Sequence, residues 1–236
     1  NIKMKESQNF TSSNNKNLLV VLPINKLEDF FLKESVYSLT QQEYPIDLLI
    51  LVNKLTENEI SELQVILDNP SITISERDKV TDEIVVRTIE ASKKLNYTIQ
   101  QTDNDTFQKV FNEGFNYALT NGYKWISIVE YDDVIDVKWY ENFNKYSNHL
   151  NDVSGFLPLT REMSNGTFLG FFNEASWIDG AETPGYFDYQ RILQWNCINI
   201  TGAVLNVEFL INESINEKKE DGSWSILKPS LKYNFI

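Results

Sequence analysis

Apolar residues along this chain fall into two rhythms, unbroken short runs and runs spaced three or four apart. "NLLVVLP" (17–23) is continuous and fits a strand buried on both faces, while "EDFFLKESVYSLTQQEYP" places Leu32, Val36 and Leu39 at helical spacing. "IDLLILVN" (46–53) is a second buried strand, after which Thr56 and Glu59 form a capping-box pattern opening a helix with Ile60, Leu63 and Leu67 on one side. A short strand at "SITIS" (71–75) completes a β-α-β-α-β opening, the mark of a mostly parallel sheet. Residues 80–95 read as a helix. "DTFQKVFNEGFNYALTNG" (105–122) is a clearer one, with Phe107, Val110, Phe111, Phe115 and Ala118 on its apolar side and Gly122 at its stop. "YKWISIVE" (123–130) returns as a buried strand, followed by an acidic turn and a helix carrying Trp139, Tyr140, Phe143 and Tyr146.

Beyond residue 150 the texture changes. "VSGFLPLT", "GTFLGFF" and "CINITGAVL" are short strand-like runs separated by turns, with a long aromatic and polar connection, "NEASWIDGAETPGYFDYQR", among them. The pattern divides the chain into a polar, disordered tail (1–16), a first half (17–150) and a second half of the same domain (151–236). The expected architecture is α/β, a mainly parallel sheet of about six or seven strands flanked by helices.

With 236 residues and 42% hydrophobic content, one domain with a substantial core is within reach. A formal charge of −13 argues against nucleic acid or an anionic membrane surface as main partner, because both reward clustered Lys and Arg. The single cysteine, Cys197, excludes an intrachain disulfide and a cysteine-rich zinc site and suits a small buried side chain. The single histidine, His149, falls near a helix end, which leaves no histidine triad or multi-histidine metal site. No segment approaches the ~18 apolar residues of a membrane span, and the opening residues lack the apolar middle of a signal peptide, so the expected location is cytoplasmic. Six Asn-x-Ser/Thr triplets are a by-product of an Asn-rich chain.

Charge changes the picture most at "YKWISIVEYDDVID" (123–136), where a buried strand runs straight into Glu130, Asp132, Asp133 and Asp136. In open parallel sheets, ligands bind at the carboxyl ends of strands. Residues 130 and 132 project to the same side of an extended chain, so their oxygens can share one hard cation, Mg²⁺ or Mn²⁺, with a diphosphate completing the shell. The structural alternative is a solvated acidic turn that caps the next helix.

From about residue 17 to 210 the sequence resembles the nucleotide-sugar glycosyltransferases with the GT-A fold, specifically the inverting family-2 type. "VVLPINKLEDFFLKESVYSLTQQEYPIDLLILVN" is similar to that family's opening, a strand ending in Pro, a helix, a Gln-x-Tyr-Pro-like turn and the second strand. "FQKVFNEGFNYALTNGYKWISIVEYDDV" is similar to the helix and strand that precede the family's metal-binding acidic motif, and "ITGAVLNVEFL" to the later strand whose Gly-Ala approaches the acceptor. The resemblance implies that Glu130 and Asp132 occupy the first and last places of the Asp-x-Asp motif, with Asp133 the following acid. It implies that Pro23 and Ile24 line the nucleotide base and that Lys109 and Asn112 lie on the donor-side helix. Two positions depart from the family: Glu130 replaces the usual first Asp, and Asn53 stands where an Asp is common, able to hydrogen-bond a uracil-like edge. By the same resemblance the first half binds the nucleotide sugar, a UDP-sugar being favoured, and the second half faces the acceptor. The family's general base lies in an acidic pair after the Gly-Ala strand, and "EKKEDGSW" offers Glu220 and Asp221.

Three functions follow as expectations. The first is a Mn²⁺- or Mg²⁺-dependent glycosyltransferase acting, with inversion, on a glycan, lipid or protein acceptor. The second is a non-catalytic protein on the same fold, a binding or structural module in a larger assembly. The third, a nucleotidyltransferase, is disfavoured because no Gly-rich basic phosphate loop follows the first strand. Trp177, Trp195 and Trp224 suit sugar stacking, although aromatic residues this common more often fill a core.

Overall fold

The computed structural model describes residues 16–103, 106–148, 153–164, 167–171, 200–208 and 234–235. Their elements in chain order are β1 (Leu18–Ile24), α1 (Asp29–Thr40), β2 (Asp47–Val52), α2 (Glu57–Asp68), β3 (Ser71–Arg77), β4 (Ile84–Glu90), β5 (Asn96–Gln101), α3 (Phe107–Thr120), β6 (Trp125–Ile128), α4 (Trp139–Ser147), β7 (Val153–Phe156), β8 (Arg161–Ser164), β9 (Thr167–Phe171), β10 (Val204–Asn206) and β11 (Asn234–Phe235). Seven strands are ordered β11-β7-β10-β6-β1-β2-β5, and the pairs β3-β4 and β8-β9 form separate two-stranded sheets. The architecture is a mixed, mainly parallel sheet with helices, as the alternation of apolar runs implied. No described helix is long and apolar enough to cross a membrane.

The chain divides into two units, and the described part of the first comprises residues 20–110 and 129–141. Its framework is set by two strands buried on both faces: Val20, Val21, Leu22 and Ile24 of β1, and Leu48 to Val52 of β2, each at most 2% exposed. Helix α1 buries Leu32, Val36 and Leu39, and α2 buries Leu63, Ile66 and Leu67. The start of α2 is held by the capping box anticipated from sequence: the Glu59 N–H donates to Thr56 Oγ1 at 3.3 Å, and the Thr56 N–H donates to Glu59 Oε2 at 2.7 Å.

Two expectations fail in this unit. The stretch 80–95 is not a helix but contains β4, which pairs antiparallel with β3 from Ser71 opposite Glu90 to Arg77 opposite Ile84. Ile84, Val85, Val86, Thr88 and Ile89 are β-branched, and side chains stiff at χ1 favour a pleated ribbon over a helix. The "SITIS" strand therefore belongs to a hairpin, and the strand that extends the parallel sheet is β5, aligned with β2 from Asp47 opposite Asn96 to Val52 opposite Gln101. Polar partners hide this strand from a hydrophobicity pattern. Asn96 Nδ2 donates to Asp47 Oδ1 and the Tyr97 hydroxyl to Asp68 Oδ1, both at 2.6 Å.

The second unit has, among its described parts, residues 16–19, 111–128 and those from 142 onward. Its core is aromatic. The Trp125 ring lies 5.4 Å from that of Phe143 and 5.5 Å from that of Phe156, and Phe143 meets Phe156 edge-on at 5.4 Å. Strand β10 runs antiparallel to both β6 and β7, placing Val204 opposite Ser127 and Phe156. Gly122 ends α3 at φ 75°, a left-handed conformation, and the Tyr123 N–H returns to the Ala118 carbonyl at 2.9 Å.

Candidate active site

Within the first unit, β1 and β2 end side by side, the Asn53 N–H donating to the Ile24 carbonyl at 2.9 Å. Just beyond these ends opens a cleft of about 330 Å³. Pro23, Ile24 and Leu51 give it an apolar wall; Asn25 and Asn53 contribute amides; Thr106 and Val110 come from the start of α3, and Glu130, Tyr131 and Asp132 from the acidic turn. Asn53 is only 8% exposed, so its amide is presented from a desolvated floor where hydrogen bonds discriminate most.

The acidic turn follows β6 and is closed by the Asp133 N–H donating to the Glu130 carbonyl at 3.1 Å. Carboxyl oxygens of Glu130, Asp132 and Asp133 all lie within 4.8 Å of one another. Their proximity has an electrostatic consequence: desolvation first, then the charges of Asp133 and Asp132, push the Glu130 carboxyl above its ordinary range, although its side chain reaches solvent. Three mutually repelling hard oxygens suit a divalent cation such as Mg²⁺ or Mn²⁺, which would relieve that repulsion. At the rim, the Tyr131 hydroxyl donates to Glu28 Oε2 at 3.4 Å, Lys26 Nζ pairs with Glu28 Oε1 at 2.5 Å and also stands 5.7 Å from the centre of the Tyr131 ring. The hydrogen bond to Glu28 raises the Lys26 ammonium, and Lys26 lowers the Glu28 carboxyl.

The structure thus brings Pro23, Ile24, Asn53, Glu130 and Asp132 to one cleft and sets Asp133 beside the two acids. Lys109 is exposed on the first turn of α3, its N–H donating to Thr106 Oγ1 at 3.4 Å; Asn112, farther along α3, is half-buried and belongs to the second unit. Asp136 caps its own turn, Oδ1 accepting from the Lys138 N–H at 2.8 Å. Glu220 and Asp221 lie outside the described residues, as do His149, Cys197 and the tryptophans Trp177, Trp195 and Trp224. Asn25, Leu51, Thr106, Val110 and Tyr131 line the cleft without having been named as site residues from sequence, Val110 having been read only as part of the apolar side of its helix. For Asn25 and Tyr131 adjacency to Ile24 and Glu130 was an available signal.

No family model and no curated protein matches the sequence. Solved structures do. Residues 1–349 of S. aureus TarS match with a TM-score of 0.59 at 14% identity, over 90% of this chain and 53% of that one. The same protein in complex with UDP-GlcNAc gives 0.58 at 14% identity, over 87% and 51%. The mannosyltransferase PcManGT from Pyrobaculum calidifontis, in complex with GDP-Man and Mn²⁺, gives 0.54 at 12% identity, over 97% and 57%. The fold is GT-A. At such identities the GT-A likeness speaks for the fold alone, and the chain spans about half the length of the structures it matches.

Proposed function

We propose that this chain carries the donor site of a metal-dependent glycosyltransferase that moves a sugar from a nucleoside-diphosphate sugar to a hydroxyl acceptor with inversion. The observation that carries this is the cleft itself, an apolar wall and a buried amide at one side and three clustered carboxylates at the other. A nucleotide sugar has the matching sequence of chemistry, a flat base, a ribose and a charged diphosphate. That the GT-A neighbours include complexes with UDP-GlcNAc and with GDP-Man and Mn²⁺ supports it.

On this reading, Pro23 and Ile24 pack on the base, Asn53 hydrogen-bonds its edge, favouring uracil, and Lys109 and Asn112 belong to the donor side. Glu130, Asp132 and Asp133 would hold a Mn²⁺ or Mg²⁺ ion, which when bound offsets the charge of the diphosphate. Residues 17–150 serve the donor and 151–236 the acceptor. The acceptor oxygen attacks the anomeric carbon while the bond to the diphosphate breaks and carries its electron pair away; Asp221, with Glu220 beside it, takes the hydroxyl proton.

Calorimetric titration of the full chain with UDP and GDP, each with and without Mn²⁺, tests the donor site. Saturable binding that requires Mn²⁺ and disappears in Asp132→Ala is the expected result. Equal binding in the variant, with and without metal, counts decisively against the assignment.

A further inference from the structure

Ser35, Ser38 and Gln42 are spaced to continue one side of α1, and they are 0%, 6% and 1% exposed. Polar side chains this deep need partners, and theirs lie in the segment that carries the acidic turn. Ser35 Oγ faces the Glu130 carbonyl at 3.5 Å, and Ser38 Oγ accepts from the Ile135 N–H at 3.0 Å while donating to the Ser35 carbonyl at 2.7 Å. Gln42 does most. Its Nε2 donates to the carbonyls of Ser38, at 3.2 Å, and Asp136, at 3.0 Å, and its Oε1 accepts from the Tyr140 N–H at 3.0 Å. That N–H is one of the first-turn donors of α4, which have no partner inside their own helix. The amide orientation is fixed by its surroundings, because a flipped Gln42 would set its oxygen against two carbonyls.

Glu130, Asp132 and Asp133 hang on a turn with little regular structure, from the end of β6 to the start of α4. Two buried side chains of α1 and its end take backbone groups at Ile135, Asp136 and Tyr140, just after the carboxylates. We propose that Ser38 and Gln42 are positioning residues for the acidic turn, holding its three carboxylates in the clustered arrangement that a divalent cation requires. This rests on the metal-site reading above, and it assigns to α1 a role in ligand binding that none of its residues performs by direct contact.

The test uses the full chain and Mn²⁺ alone, well below the melting temperature. Mn²⁺ affinity is measured by electron paramagnetic resonance, and amide hydrogen exchange across 130–140 by mass spectrometry. Gln42→Ala and Ser38→Ala are expected to weaken Mn²⁺ binding by roughly 10- to 100-fold, as loss of supporting hydrogen bonds around a metal site does, and to speed exchange across the turn. Leu63→Ala, a core truncation in α2, should lower the melting temperature with Mn²⁺ affinity unchanged. Wild-type affinity and exchange in Gln42→Ala and Ser38→Ala would overturn the positioning role while leaving the metal site standing. So would equal weakening in Leu63→Ala, which would reduce the effect to general destabilisation. If the wild type shows no saturable Mn²⁺ binding, the metal-site reading fails, and the positioning role with respect to a cation fails with it, whatever the exchange shows about the turn.

Discussion

Glu130 is where the electrostatics of the site are least comfortable. Desolvation, Asp133 and Asp132 all raise its carboxyl, so the folded chain binds this proton more tightly than the unfolded chain does. Stability without metal therefore falls as pH rises through the raised value, and ionised Glu130 destabilises above it. Glu130→Gln should melt at a higher temperature than wild type at neutral pH in the presence of a chelator, with the gain shrinking as pH is lowered. Melts across a pH series check this, and a gain that is the same at every pH would refute it. On the metal-site proposal, protonation also removes a ligand, so Mn²⁺ affinity in the wild type should drop as pH falls over the same interval. Glu130 and Asp132 were legible in the sequence because a buried apolar run ends at a pair of acids two positions apart. Ser38 and Gln42 were not legible as partners of that turn, because their hydrogen bonds join positions almost a hundred residues apart and leave no local pattern.

Among the elements, α2 shows local chemistry and tertiary structure in agreement. Its Thr56 and Glu59 satisfy each other's backbone donors, and the Thr56 backbone and hydroxyl hold the Glu59 carboxyl below the usual range. Thr56→Ala should lower stability by about 1 kcal/mol, typical for loss of a helix cap, read from the midpoint of a denaturant titration. Because the Glu59 carboxyl is depressed in the folded state, its contribution is present above the ordinary carboxylate range and fades as pH falls through the depressed value. The same experiment in acid should show the gap between wild type and variant narrowing without closing, because only the bond from the Thr56 hydroxyl to the carboxylate is lost with the charge, while the Thr56 Oγ1 cap on the Glu59 N–H does not titrate. Long apolar strands and amphipathic helices were readable because burial on both faces, or on one, writes a fixed period into the sequence. The span from 80 to 95 was misread because Ile84 and Val86 are apolar yet largely exposed and Ile89 is partly so, and their spacing therefore reports on the hairpin and not on a buried helical side. β5 was missed for the opposite reason, a sheet strand written mainly in polar residues.

At the scale of the whole molecule, the proposed function puts donor binding and proton removal in different halves of the chain, and if so a single substitution should separate them. Asp221→Asn is expected to keep Mn²⁺-dependent nucleotide binding and to lower sugar transfer by about 10² to 10⁴-fold, the effect of losing a positioned general base. Full activity in the variant would move the role to Glu220, and loss of donor binding would remove Asp221 from the acceptor side. A wild type that binds no nucleotide and transfers no sugar would favour the non-catalytic module. The path of the chain from β2 through α2 to β5 carries one more consequence. Between α2 and β5 the hairpin of β3 and β4 leaves and returns at one point, the Ala91 N–H meeting the Pro70 carbonyl at 2.8 Å. Its tip is tied by its own residues: Asp78 Oδ1 accepts the N–H groups of Val80, at 2.7 Å, and Thr81, at 3.0 Å, and the Val80 side chain is 93% exposed. Foreign sequence spliced beside Val80, an epitope or a dye-labelling tag, would enter a loop whose anchor points already close without it, giving a handle for immobilising or imaging the protein that leaves both chain termini untouched.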